Sequence, residues 1–399
     1  MSTTSIVRDG DLRRRELLQT AAALATVGSA ALVGPGRPAT AAPDPGVFAY
    51  VGAFTTAERK GHGDGINVYR MDSRTGGWTH VQLLSGIVNP SFLALDHQQR
   101  FLYSVHADLD EVSAYSIDKN SGELTPLNKQ SCGGKNPVYL TLDPSNRYLV
   151  TANYTAGSVA VVSVEEDGTL GPRTDLVTLT GETGPNRKEQ AGSHPHDCPF
   201  DPAGRFVVVP DKGLDQIFVF RLHAASGKLV ANNPPSVATR EGAGPRHIAF
   251  HPSLPVAYVI NELGSTMTTY NYDTARGVLQ AVQVLPTTPP SFTGNNTGAE
   301  VAVAPSGRFV YGSNRGHDSI VVFAVDRANG TLTPADWVST QGRTPRFFAL
   351  DPTATFLYAA NQDTDTIVTF RVNQRNGRLT PTGQIVKVGS PCTIVFARA

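Results

Sequence analysis

The 399-residue sequence has no excess of charge: 34 Lys and Arg stand against 34 Asp and Glu. It also lacks a basic cluster, which argues against a nucleic-acid or anionic-membrane partner, because binding phosphates needs concentrated Lys and Arg. Cysteine is scarce. Cys132, Cys198 and Cys392 are too few for a disulfide framework or a thiolate zinc cage, and their spacing suggests no bridge at all. No long apolar span follows the N-terminus, and no helical period of useful length survives there. Turn formers are plentiful instead, with Gly 38 and Pro 28 in a chain that is 40% hydrophobic, too apolar for a disordered protein.

Residues 1–41 read as an address rather than as part of the fold. Arg13, Arg14 and Arg15 precede Glu16-Leu17-Leu18-Gln19, an Ala-rich apolar stretch runs to about Val33, and Ala39-Thr40-Ala41 offers a cleavage site. Paired arginines before two leucines resemble the twin-arginine signal, which exports folded proteins. The expectation is export to the cell envelope or beyond, with no membrane association once the signal is removed. The remaining 42–399 carry a net charge of −2, since the signal takes five Arg and three acids with it.

From residue 47 the chain repeats one pattern. PSFLALDHQQRFLYSVHADLDEVSAYSIDKNSGEL begins at Pro90, and similar text begins at Pro137, Pro195, Pro245, Gly298 and Pro345, with a fragment at Pro391. Each unit is a series of short β-branched or aromatic runs divided by turns and closed by G-x-L, as in Gly122-Glu123-Leu124, with Gly77-Trp78 as a looser copy. Four strands in each 46–58 residues is the pattern of a β-propeller blade. The fragment after Pro391 supplies only an innermost strand, and 47–82 supplies a blade lacking one. The predicted fold is all-β, a seven-bladed β-propeller closed by pairing of the N- and C-terminal strands within one blade. It would form a single domain over 42–399, and closure would remove exposed sheet edges.

Comparing the repeats separates scaffold from chemistry. The column His106, Asn153, Asp211, Asn261, Asn314, Asn361 is expected to be structural, with Asn tolerating left-handed backbone and bonding a tight turn. The column Asp64, Asp110, Asp215, Asp318, Asp365 is structural likewise. Three neighbouring columns vary instead: Ser91, Val138, His196, Arg246, Ala299, Arg346, Cys392; then Phe92, Tyr139, Asp197, His247, Glu300, Phe347, Thr393; then Ala107, Tyr154, Lys212, Glu262, Arg315, Gln362. Propeller topology brings all three to one mouth of the channel. Imidazole, guanidinium and carboxylate converging there form an acid/base and anion-stabilising pocket. His194-x-His196 shows no third ligand, so no metal and no cofactor are expected. Two long spacings come from 181–192 and 283–297, candidate lids over the mouth.

The stretches SHPHDCPFDPAGRFVVVPDKGLDQI, GAGPRHIAFHPSLPVAYVINE, AEVAVAPSGRFVYGSNRGHDSIVVF and GRTPRFFALDPTATFLYAANQDTDTI resemble the seven-bladed lactonase family. That family includes propeller-type 6-phosphogluconolactonases and the fungal 3-carboxy-cis,cis-muconate lactonising enzyme. The resemblance implies a lactonase needing no metal, with catalytic His196, Arg246 of GPRH, Glu262 of NE and Arg315 of SNR. His247, Glu300, Arg346 and Gln362 are the expected substrate-binding neighbours. Glu262, with His196, would draw a proton from the attacking water, and Arg246 and Arg315 would hold the oxyanion or an acidic substituent. The expected partner is a small lactone, or an unsaturated acid if the chemistry runs toward lactone formation; a non-catalytic binding propeller is the rival class. An export signal separates the chain from cytoplasmic phosphorylated metabolites, so the lactone itself is left open.

Overall fold

The computed structural model describes residues 46–398, and its regular structure is almost wholly β, with two short 3-10 turns at Ala57–Arg59 and Gln362–Thr364. Seven antiparallel sheets follow one another as blades. In blade one the C-terminal strand Pro391–Arg398 lies innermost and pairs with Val47–Ala53, followed outward by Gly65–Met71 and Trp78–Ser85. The chain ends therefore close the ring by strand pairing, as the repeats require. The export signal expected over 1–41 lies outside the described residues.

Burial explains the composition of the runs. Second strands such as Val256–Asn261 and Phe356–Asn361 are buried along their whole length, because both faces pack against neighbouring blades. Outer strands such as Leu379–Lys387 alternate buried or half-buried positions with exposed ones and read accordingly. The apolar clusters lie between blades: Val207, Val209 and Phe218 of blade four pack on Val150, Ala152 and Val161 of blade three. Each such buried Val or Phe side chain contributes roughly 1.5–3 kcal/mol.

The repeated G-x-L turn has a specific task. Gly122 adopts φ 79° and lies against Phe48 so closely that a Cβ would sit 2.3 Å from the ring. Its carbonyl accepts the Tyr50 hydroxyl at 2.9 Å. The same staple joins Tyr103 to Gly168, Tyr258 to Gly330, Tyr311 to Gly377 and, across the closing seam, Tyr358 to Gly76. In blade one the staple glycine is thus Gly76, one position before the Gly77 of the sequence pattern.

Two local expectations change. Blade four shows three regular strands rather than four; its innermost segment is reduced to bridges at Pro195–Asp211 and Phe200–Val207. The Asn column also ends its strands in extended backbone, with Asn361 at φ −89°. Asn153 and Asn314 donate across the following hairpin to Ser158 and Ser319. Left-handed geometry falls to the Asp column instead, with Asp215, Asp318 and Asp365 at φ 51°, 52° and 54°. Their carboxylates accept the backbone N–H groups of Gly244, Thr344 and Ser390, which tie each blade to the next.

Candidate active site

The innermost strands start where the second strands end, as in the pairs Pro245–Asn261 and Pro345–Asn361. Directly after each proline the register shifts, so Arg246 and Arg346 occupy bulges with no opposite residue. A bulge turns a side chain out of the strand alternation, which is how one column of the repeat is aimed away from the ladder. Glu262 follows the end of its strand, where its N–H donates to the Gly244 carbonyl at 2.7 Å.

Glu262 is the electrostatic centre. Its Oε1 accepts Lys212 Nζ at 3.0 Å, and its Oε2 lies 3.1 Å from Arg246 Nε and 3.0 Å from Arg315 Nη2. Burial by itself would raise this carboxyl, but Arg315, Lys212 and Arg246 outweigh it and hold it far below the usual carboxylate range. The group is a fixed anion and a poor proton acceptor. Lys212 is 2% exposed, and Glu262 together with Tyr154 and Glu189 keeps it protonated against the opposing effect of burial.

A second chain of contacts runs beside it. His247 Nδ1 is 3.0 Å from Glu300 Oε2, and His247 Nε2 is 3.3 Å from His196 Nδ1 and 3.2 Å from Arg246 Nη1. Burial, then Arg246, depresses both imidazoles well below 6.5, so both rings are neutral at pH 7. Burial pushes the Glu300 carboxyl up, against the pull of Arg246. Asp197 is also pushed up by burial; its Oδ2 accepts the Ile248 N–H while its Oδ1 has no partner.

Arg346 stands apart from the other guanidiniums. Among the described residues it has no ion pair and no side-chain hydrogen bond, and it lies over the Phe54 ring at 5.3 Å. It shares a recess with His196, Arg246, His247 and Cys392. The recess holds about 20 Å³, enough for a single water. A larger groove of about 480 Å³ between blades one and two is lined by Leu84, Val88 and Tyr115 and contains no arginine. Size favours that groove, but His196, Arg246, His247 and Arg346 line the smaller recess, while Glu262 and Glu300 contact Arg246 and His247 without lining it, and chemistry decides.

The structure thus gathers His196, Arg246, Glu262, Arg315, His247, Glu300 and Arg346. Gln362 neither lines the recess nor shares a hydrogen bond or ion pair with these seven; its amide nitrogen donates to Asp363 at 3.3 Å. Sequence reasoning did not single out Lys212, although it occupies the same repeat column as Glu262 and Arg315. The insert 181–192 reaches it: Glu189 pairs with Lys212 at 2.9 Å, and buried Gln190 donates to the Lys212 carbonyl at 2.9 Å. The expected second lid, 283–297, begins as strand, since Val278–Pro286 is the outer strand of blade five; beyond it Phe292 packs edge-on against His317. His194, the other half of the His-x-His pair, stacks on Tyr154 at 4.4 Å.

A strand ring that collects imidazole, guanidinium and carboxylate groups at one mouth defines a propeller hydrolase. A family model described as "Lactonase, 7-bladed beta-propeller" matches residues 48–396, and the chain belongs to that family. It is 38% identical over 301 residues to the 6-phosphogluconolactonase of Bacillus subtilis (strain 168), covering 75% of this chain and 83% of the relative. The 6-phosphogluconolactonase of Formosa agariphila is 32% identical over 311 residues, covering 75% and 85%. Among solved structures, the periplasmic gluconolactonase of Pseudomonas aeruginosa superimposes with TM-score 0.81 at 31% identity, covering 88% of this chain and 99% of that one.

Proposed function

We propose that this protein hydrolyses a small sugar-derived lactone at the channel mouth, with His196 as general base. The observation that carries this reading is a neutral imidazole and an unpaired guanidinium sharing a water-sized recess. Water held there would attack the ring carbonyl while His196 takes its proton. Arg346, free of any carboxylate, would stabilise the tetrahedral oxyanion together with Arg246. Collapse of that intermediate breaks the acyl–oxygen bond, and the imidazolium returns its proton to the departing ring oxygen. The product is an open-chain hydroxy acid, whose carboxyl releases one proton to bulk solvent.

This assignment moves the base role from Glu262 to His196. A carboxylate clamped by three cations accepts a proton poorly, whereas it is well suited to holding Arg246 and Arg315 in place. Relatives named 6-phosphogluconolactonase support lactone chemistry. The N-terminal signal pattern supports export, which we propose as well, and with it an unphosphorylated lactone as substrate.

The activity test follows acid release by a pH indicator from a panel of phosphorylated and unphosphorylated aldonolactones and unsaturated diacids. Hydrolysis above the spontaneous rate, fastest on unphosphorylated lactones, is expected. A flat response across the panel would return the protein to the binding class, and cyclisation of a diacid without lactone hydrolysis would move it to muconate-type chemistry. For export, fractionation of cells expressing the whole chain should find a shortened protein in the envelope or medium; a full-length cytoplasmic protein would overturn that part.

A further inference from the structure

We propose that Glu300 and His247 are positioning residues that fix the tautomer of His196, leaving its Nε2 with the lone pair. The proposal rests on His196 being the base and explains how a neutral histidine is held in the one form able to act.

The Arg246 guanidinium has donors and no acceptor. Its Nη1 faces His247 Nε2 at 3.2 Å, so that nitrogen must accept. The His247 proton then sits on Nδ1 and is donated to Glu300 Oε2 at 3.0 Å, which requires Glu300 as a carboxylate, with Arg246 and the Val301 N–H pulling it down against the upward push of burial. The His247 Nε2 lone pair also faces His196 Nδ1 at 3.3 Å. Two acceptors cannot bond each other, so His196 Nδ1 is the donor and His196 Nε2 is bare. Neither ring escapes by becoming charged, because burial and the cations Arg246 and Arg346 oppose it.

The far end of the chain is anchored. Glu300 Oε1 accepts the Val301 N–H at 3.1 Å, and the Glu300 N–H donates to Ser313 Oγ at 2.9 Å. Arg246, Asp197 and Tyr139 are the other charged or titratable groups that sense this carboxyl. An isosteric Glu300→Gln substitution keeps the anchor: Val301 still requires an acceptor at the Oε1 position, so the amide NH2 takes the Oε2 position. That group donates to His247 Nδ1 and drives the His247 proton onto Nε2, against Arg246. His196 then has no acceptor for its Nδ1 proton.

The test uses protein labelled with ¹⁵N-histidine, its 10 histidines distinguished by two-bond ¹H–¹⁵N couplings, with His196 assigned by comparison with His196→Gln. Wild type should show His196 protonated on Nδ1 alone, and Glu300→Gln should show it protonated on Nε2. On lactone, Glu300→Gln should lower kcat about 10²-fold or more with KM little changed, the size of a lost general base. A wild-type His196 protonated on Nε2 overturns the proposal, as does wild-type kcat in Glu300→Gln. The wild-type spectrum decides the tautomer even where Glu300→Gln fails to fold. Full turnover in His196→Gln would instead overturn the base assignment, and the spectrum would still report on the hydrogen-bond chain by itself.

Discussion

Replacing Glu262 by Gln perturbs the charge arrangement on which the site is built. Three cationic nitrogens lie 3.0–3.1 Å from its carboxylate, and the residue is 8% exposed. Gln keeps the shape and one bond to Lys212 but leaves Lys212, Arg246 and Arg315 facing a neutral amide. Removing one member of a buried ion set destabilises by about 3–5 kcal/mol. For a domain of about 350 residues the unfolding entropy near the midpoint is about 0.7 kcal/mol/K, so Tm should fall by about 4–7 °C. The depressed carboxyl contributes stability that is fully present above its ordinary value of 4.5 and fades as pH falls toward the folded-state value. The gap between wild type and variant should therefore be constant from about pH 6 to 8 and narrow below about pH 4.5. Calorimetry at several pH values measures both. Adding Lys212→Met should recover part of the lost Tm by removing an uncompensated charge. An unchanged or raised Tm in Glu262→Gln would show that the carboxylate does not hold the three cations.

Other consequences reach different parts of the molecule. Arg346→Met should lower kcat on lactone by about 10²-fold, as expected for a lost oxyanion donor, while leaving Tm unchanged or higher; wild-type turnover would place the oxyanion elsewhere. Burial raises the thiols of Cys132 to about 11 and Cys392 to about 12, and that of Cys198 likewise upward. Because the thiolate is the reactive form, native protein near pH 8 should resist a disulfide reagent that labels all three cysteines after unfolding; rapid native labelling would contradict their burial. Deleting residues 391–399 removes the innermost strand of blade one and should abolish cooperative folding, whereas a truncated chain melting at the wild-type temperature would refute closure by the chain ends.

The architecture was legible because every blade solves the same packing problem and so repeats its residues. The G-x-L turn recurs since only glycine fits between a positive φ and the neighbouring ring, as Gly122 does against Phe48. What the repeat concealed was exception. The inner segment of blade four carries the same text as its counterparts, yet it pairs only through isolated bridges around His196. The repeat points to Asn, a good left-handed residue in general, for the left-handed position, whereas the hairpin hydroxyls satisfy Asn153 and Asn314 in extended form. Lys212 shares a variable column with Glu262 and Arg315, but nothing local places it against Glu262, 50 residues later in the chain. Which arginine is paired was also invisible: Arg246, Arg315 and Arg346 look alike in sequence, and only the closed ring gives the first two a carboxylate.

The proposed reaction depends on a neutral His196 activating water on a lactone carbonyl. Its most direct test is the turnover of an unphosphorylated aldonolactone by His196→Gln beside wild type, with folding verified by thermal melting. The folded variant should fall to the spontaneous rate while wild type exceeds it. A folded His196→Gln that turns over like wild type would contradict that role for His196.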